Sequence, residues 1–287
     1  MDYNLVRKLI AESHIWQTEE ITFLGGEPSI YPQIHEAIAL CYEHKLRARI
    51  VTNGSSAFHR FIQKHLSLGN APIQACFSFD GASGAHDRIR RKGSCDDLLI
   101  SIRMCKDAGI PYSGIVSFSA DNIDFHEETL RECARMGFQY VNIHYVTNRG
   151  FAAKEQVISI RLWQEACRRM KRLANELTLA IRLEDTFVPL RQFSGGCSVR
   201  RGSNLIFMPD GRVFQCLLFL DVPEAHSFTW TADGLLPNAS NDSEEYLARR
   251  EFPTHCPAMI LLNPELHAAA LNEGIAISCV YEKAEFR

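Results

Sequence analysis

The sequence predicts an α/β fold in which βα units surround a parallel sheet, followed by a smaller β-hairpin region. Three observations predict it. Apolar runs alternate with helical patterns from residue 20 onward, glycines close three of the helical patterns, and the alternation stops near residue 190.

The strand-like runs are "ITFLGG" (21–26), "RARIVTNG" (47–54), "IQACFSFDG" (73–81), "YSGIVSFSADN" (112–122) and "YVNIHYVTNRG" (140–150). Each is short and rich in apolar or β-branched residues, as a buried parallel strand requires. Between them lie the helical patterns "IHEAIALCYEHKL", "AFHRFIQKHLSLG", "DDLLISIRMCKDAG" and "EETLRECARMG". Gly69, Gly109 and Gly137 close three of these in the manner of helix C-terminal caps. A helix precedes the first strand, and "RLWQEACRRMKRLANELT" (161–178) follows the last. "LAIRLED" (179–185) is one more strand candidate. Then "GGCSVRRGSNLIFMPDGRVFQCLLF" (195–219) reads as two β-rich runs joined at Pro209-Asp210-Gly211, a hairpin signal. The expected domains are therefore 1–190 and 191–287, the second opening with the hairpin and loop-rich in the remainder through "NASNDSEE" to Arg287. No repeat or low-complexity segment occurs.

Composition sets the outer limits. Apolar residues make up 46% of the 287 and charged ones 23%, a soluble globular profile with enough chain for a full core. A net charge of -3 gives no attraction to nucleic acid or to an anionic membrane. No uncharged apolar run reaches membrane-spanning length, and the start "MDYNLVRKLIAESHIW" lacks a signal-peptide core, so cytoplasm is the expected location. The ten cysteines are spread along the chain, which argues against a disulfide framework. Cys105, Cys133 and Cys167 fall in helical patterns and are expected as buried small hydrophobes.

The stretch "ITFLGGEPSIYP" stands apart from an ordinary turn. Gly25 and Gly26 remove two side chains where the chain leaves the strand, Glu27 follows at its carboxyl end, and Pro28 holds the turn open. One reading is a tight βα turn with a solvated acid. The other is a backbone brought close to a ligand, with Glu27 accepting hydrogen bonds from a cation such as an amino group. Polar residues recur at later strand ends: Thr52-Asn53-Gly54, then Ser78, Asp80 and Gly81, then Ser117, Ser119 and Asn122, then Asn142, His144 and Tyr145. Each alone reads as a turn or capping residue. Together they describe a polar rim on one sheet edge, where α/β folds keep their active sites.

"FLGGEP", "VTNG" and "SFDGASGAHDRIRRKGS", in this order and spacing, resemble the core of a radical S-adenosylmethionine enzyme, in particular the peptide-modifying branch with the anaerobic sulfatase-maturating enzymes. The resemblance covers roughly residues 1 to 150. It implies a partial (β/α)6 barrel, here with its first strand missing. It also implies that the Gly25-Gly26-Glu27 segment meets the amino group of the cofactor's methionine. Ser78 and Asp80 match the residues facing its ribose and methionine end, and Arg90 matches an arginine that meets its carboxylate. Arg91 stands where the family commonly has a glycine. The implied partners are a peptide or small-molecule substrate and a reductant such as flavodoxin or ferredoxin.

One family feature is missing. The core [4Fe–4S] cluster of such enzymes is held by C-x3-C-x2-C after the first strand, and no three cysteines here take that spacing. Without those thiolates the cofactor is not expected to be cleaved. Either the chain is a fragment beginning after the cluster loop, or it is a degenerate member that keeps the barrel for binding. The intact "GGEP", "SFDG" and Arg90 favour the fragment. A third reading, an unrelated α/β barrel with "GGEP" as a phosphate-side turn, is weakened because no P-loop or dinucleotide fingerprint occurs.

The last cysteines form a second group. Cys197 and Cys216 are spaced C-x13-G-x4-C across the hairpin, which resembles the SPASM and shorter Twitch auxiliary-cluster domains. A hairpin turning at Pro209-Asp210-Gly211 brings its two ends together. With Cys256 and Cys279 there are four thiolates, enough for one iron–sulfur cluster. His255 beside Cys256 leaves zinc open, and ordinary thiols at Cys256 and Cys279 remain the plainer reading. His144, Tyr145 and Arg149 are candidates to line the substrate side.

Overall fold

In chain order the first strands are β1 (Glu20–Phe23), β2 (Arg47–Thr52), β3 (Ile73–Ser78), β4 (Tyr112–Phe118), β5 (Tyr140–Tyr145) and β6 (Ala180–Glu184). They are followed by β7 (Phe187–Pro189), β8 (Ile206–Phe207), β9 (Arg212–Phe214), β10 (Phe228–Thr231), β11 (Gly234–Pro237), β12 (Ile275–Ile277) and β13 (Lys283–Phe286). The helices are α1 (Tyr3–Glu12), α2 (Ile34–Glu43), α3 (Ser56–Ser67), α4 (Ala85–Ile89), α5 (Ser94–Asp107), α6 (His126–Arg135), α7 (Ile160–Ala174), α8 (Pro257–Leu262) and α9 (Pro264–Asn272). This computed structural model describes residues 1–69, 72–82, 84–147, 157–184, 186–193, 197, 199, 204–238, 256–280 and 283–287. Arg149 and His255 lie outside the described residues.

Seven strands share one sheet in the order β1-β2-β3-β4-β5-β6-β13. The pairs β1–β2, β2–β3, β3–β4 and β5–β6 are parallel, with Ile21 opposite Ala48, Ile50 opposite Ala75 and Phe77 opposite Gly114. This is the α/β fold that the alternation predicts. Consecutive strands lie side by side because each returns through a helix, which parallel pairing requires.

The chain divides into two compact units. The larger comprises Val6–His144, Arg168–Arg182 and Glu285–Arg287. Its core is aromatic at the centre: Phe58 of α3 meets Phe77 of β3 edge-on at 5.5 Å, and Phe77 stacks on Phe138 at 6.4 Å. Such pairs contribute beyond their area burial. Cys105 and Cys133 are wholly buried here, as expected of thiols acting as small hydrophobes. Gly69, Gly109 and Gly137 follow α3, α5 and α6 in the left-handed conformation, consistent with their capping role.

The smaller unit comprises Met1–Leu5, Tyr145–Cys167 and Leu183–Ala284. Cys167 is buried in it, also as expected. The hairpin forms where Pro209-Asp210-Gly211 predicts it, pairing Ile206 with Phe214 and Phe207 with Val213. It continues into a four-stranded antiparallel sheet, β11-β10-β9-β8, while β7 pairs with β12. The expectation of a loop-rich tail therefore needs correcting. Its strands are two to four residues long, too short for alternation to show in sequence. The helix expected over 161–178 runs instead over Ile160–Ala174. Among the described residues no helix is long and apolar enough to cross a membrane.

Candidate functional site

Glu27 is placed by its own turn. Gly25 and Gly26 adopt φ +88 and +55, a region costly for other residues, and a Cβ on either would meet nothing within 4 Å. The glycines are there for conformation, and they leave open space beside the main chain. Glu27 then turns its carboxylate inward. Oε1 accepts from Ser29 N at 3.2 Å and Ser29 Oγ at 2.7 Å. Oε2 accepts from Asn53 N at 3.0 Å, and the Thr52 hydroxyl lies 2.9 Å from both oxygens. A carboxylate has about four acceptor sites, so this one is largely committed within the chain. Of the two readings of "GGEP", the structure gives Glu27 the task of tying the end of β1 to the end of β2.

The next strand ends are tied in the same manner. Asp80 N donates to His86 Nδ1 at 3.1 Å, and Asp80 O accepts from Asn122 Nδ2 at 2.8 Å. Asn122, 1% exposed, also donates to Ser117 O and accepts from Ser119 N at 2.8 Å, which joins the ends of β3 and β4. His86 is wholly buried, and burial lowers its pKa, so it stays a neutral acceptor at Nδ1. Gly81 makes the tight entry into α4 possible: a Cβ there would come 2.8 Å from Ala85 Cβ.

The run from His86 to Arg90 resolves into three separate contacts. His86 holds Asp80's main chain. Asp87 caps α5, accepting from Cys95 N at 2.8 Å, Gly93 N at 2.6 Å and Ser94 Oγ at 3.1 Å, and these donors depress its pKa. Arg90 Nε pairs with Asp80 Oδ2. Arg91 pairs with Asp97 in the first turn of α5, so the arginine in place of the common glycine is absorbed locally.

Three groups on this edge stay available. The main chain at Gly25–Gly26 is uncovered, the Ser78 hydroxyl has no hydrogen-bond partner among the described residues, and neither do Arg90 Nη1 and Nη2. The strand-end amides of Asn53, Asp80 and Ser119 are all taken by side chains. An edge that consumes its own N–H groups is not a phosphate cradle, which works by offering them.

In the smaller unit the four late cysteines gather. Cys216, Cys256 and Cys279 are buried and Cys197 is half-buried. Burial pushes the Cys216 thiol up to about 12, and Cys279 and Cys197 lie near enough to add to it. Burial also raises Cys256 well above its ordinary value, with Cys279, Cys216 and Cys197 contributing. The thiols are not closed around one point: among the described residues no three His, Cys, Asp or Glu side chains stand ready to hold a metal. The donor set nevertheless suits a thiophilic metal, whose charge would release the thiol protons.

Residues 1–133 match the Radical SAM superfamily. That match spans somewhat less than half of the chain. The AdoMet-dependent heme synthase of Nitratidesulfovibrio vulgaris is 29% identical over 150 residues, which is 50% of this chain and 40% of that protein. The chain thus spans well under half the length of the curated relatives it matches. Streptococcus suis SuiB bound to S-adenosylmethionine superposes with a TM-score of 0.63 at 12% identity, over 94% of this chain and 60% of that one. Native anSMEcpe with bound AdoMet and Cp18Cys peptide gives 0.57 at 13% identity, over 77% and 67%. At these identities the two structures share the fold.

In the smaller unit, one group escaped the sequence reading altogether. Glu184 closes β6 and is wholly buried in the smaller unit. Burial pushes its pKa up to about 8, against the opposing pull of Lys283 and of the N–H of Tyr145. Nothing in "LAIRLED" separates a buried acid from the polar end of a strand. Tyr145, a candidate lining residue, is buried instead, and its hydroxyl donates to Ile158 O at 2.9 Å.

Proposed function

We propose that a radical SAM domain in this chain binds S-adenosylmethionine along the carboxyl edge of β1–β3 and serves hydrogen abstraction from a peptide or small molecule. Residues 1–190 are the cofactor-binding core in this reading, and 191–287 an auxiliary iron–sulfur domain. The observation that carries it is that, on the carboxyl edge of one sheet, the terminal fork of Arg90, the Ser78 hydroxyl and the Gly25–Gly26 main chain are all left open among the described residues. An ammonium is served by main-chain carbonyls, a carboxylate by a guanidinium fork, and a ribose hydroxyl by a serine. From β1 to β3 the edge spans two inter-strand gaps, about 10 Å, which suits an amino-acid chain joined to a ribose. Gly26, Glu27, Ser78 and Arg90 hold the cofactor here, Glu27 through its main chain.

The fit of the metal groups differs. Cys197, Cys216, Cys256 and Cys279 would hold one auxiliary cluster. A core cluster finds no donor set among these 287 residues, since no C-x3-C-x2-C occurs and Cys41, Cys76, Cys105 and Cys133 are buried. Hydrogen abstraction is what a reduced core cluster and S-adenosylmethionine supply together, with flavodoxin or ferredoxin as donor. The residues described bind and orient. That same missing donor set favours a second reading, an inactive binding protein with the same cofactor site.

Titration calorimetry with S-adenosylmethionine tests the site. Arg90→Gln should weaken binding about tenfold, the loss of one charge-assisted contact. No binding by the unaltered chain, or an unchanged affinity in the variant, would overturn it.

A further inference from the structure

Asp80 and Arg90 are each other's partners, and the manner of their pairing is specific. Asp80 Oδ2 meets Nε of the guanidinium, while Nη1 and Nη2 have no hydrogen bond among the described residues. The Asp80 side chain is 10% exposed and that of Arg90 is 32% exposed. Asp80 itself is held on both sides of its main chain, by His86 Nδ1 at 3.1 Å and by Asn122 Nδ2 at 2.8 Å. Both holders are at most 1% exposed. The acid is thus a fixed point and the arginine is fastened to it.

A guanidinium offers a carboxylate two edges, the side edge at Nε and the end edge between Nη1 and Nη2. The chain's own carboxylate takes the side and leaves the end. We propose that Asp80 is a positioning residue for Arg90, and not itself a contact of the cofactor: it aims the Nη1–Nη2 edge at the carboxylate of an amino-acid ligand. This departs from the role that the resemblance implies for Asp80, which is to face the ribose and methionine end. It rests on the cofactor site proposed above. Pre-aiming the fork removes rotamer freedom that binding would otherwise have to freeze. The nearby negative charge also penalises a dianionic phosphate more than a carboxylate.

The test is a double-mutant cycle with two ligands. S-adenosylmethionine carries the amino-acid carboxylate, and 5′-methylthioadenosine keeps the nucleoside and thioether but lacks it. Asp80→Asn and Arg90→Gln should each weaken S-adenosylmethionine about tenfold, and the double variant should be no weaker than Arg90→Gln alone. All four proteins should bind methylthioadenosine equally, which also shows that the variants fold. In NMR spectra the Arg90 Nε–H signal should lose its solvent protection in Asp80→Asn. Additive losses, tighter binding by Asp80→Asn, or loss of methylthioadenosine in that variant would overturn the positioning role alone. Absence of S-adenosylmethionine binding by the unaltered chain would overturn both this role and the site beneath it.

Discussion

Glu184 Oε1 accepts the main-chain N–H of Tyr145 at 3.0 Å, while Oε2 is buried with no hydrogen-bond partner among the described residues. Burial pushes the folded carboxyl well above the 4.5 of a free one, with Lys283 pulling the other way. An acid with a raised folded pKa is held in its neutral form by the fold. Its contribution is therefore complete below pH 4.5 and is lost progressively as pH rises through the raised folded value. Unfolding midpoints in urea should fall across this window, and Glu184→Gln should flatten the fall. An equal slope in the variant would place the titration elsewhere.

Replacing Glu27 with alanine removes the acceptor of the Thr52 hydroxyl, 1% exposed, and of the Asn53 N–H. Leaving two such donors unpaired should cost about 2–4 kcal/mol. The loss should appear first as stability by chemical denaturation, with cofactor affinity falling because the turn is no longer held. Glu27→Gln should recover part of both. Stability unchanged by the alanine would return Glu27 to the solvated-turn reading.

Cys216→Ala should lose the iron and sulfide taken up on anaerobic reconstitution and expose the tail beyond about residue 190 to limited proteolysis, since metal ligation orders such a segment. Cys105→Ala, whose thiol is wholly buried in the larger unit, should keep its iron. Equal iron in both variants, or stoichiometric zinc from aerobic preparations, would sink the auxiliary cluster and leave the sheet reading standing.

Under anaerobic reduction these 287 residues should release no 5′-deoxyadenosine from S-adenosylmethionine above the background of an Arg90 variant, because no C-x3-C-x2-C occurs among them. Reductant-dependent product would show that other residues hold a core cluster.

The strands β1 to β5 were legible because burial on both faces demands apolar runs, and those runs end in visible glycines and polar residues. The rim residues were legible as types: Glu27, Thr52, Asn53, Asp80, Asn122 and Arg90 could all be picked out. Their pairing was not. Asp80 and Arg90 are ten positions apart with the short helix α4 between them, and nothing in "SFDGASGAHDRIR" says that the acid and the arginine face each other. The internal bonds of Glu27 were not legible either, because they come from Ser29 two positions on and from Thr52 and Asn53, 25 and 26 positions on. In the tail, strands of two to four residues carry no periodicity to read.

In the larger unit the amides of Asn53, Asp80 and Ser119 stand at or just past strand ends, where a polypeptide normally frays, yet each donates to a side chain of its own unit. Deuterium should reach such amides only through a local opening that also breaks the side chain's other bonds. The mouth of the sheet would then show exchange protection closer to that of its middle. A ligand arriving there would meet an edge already ordered, and little of its binding free energy would be spent on ordering it.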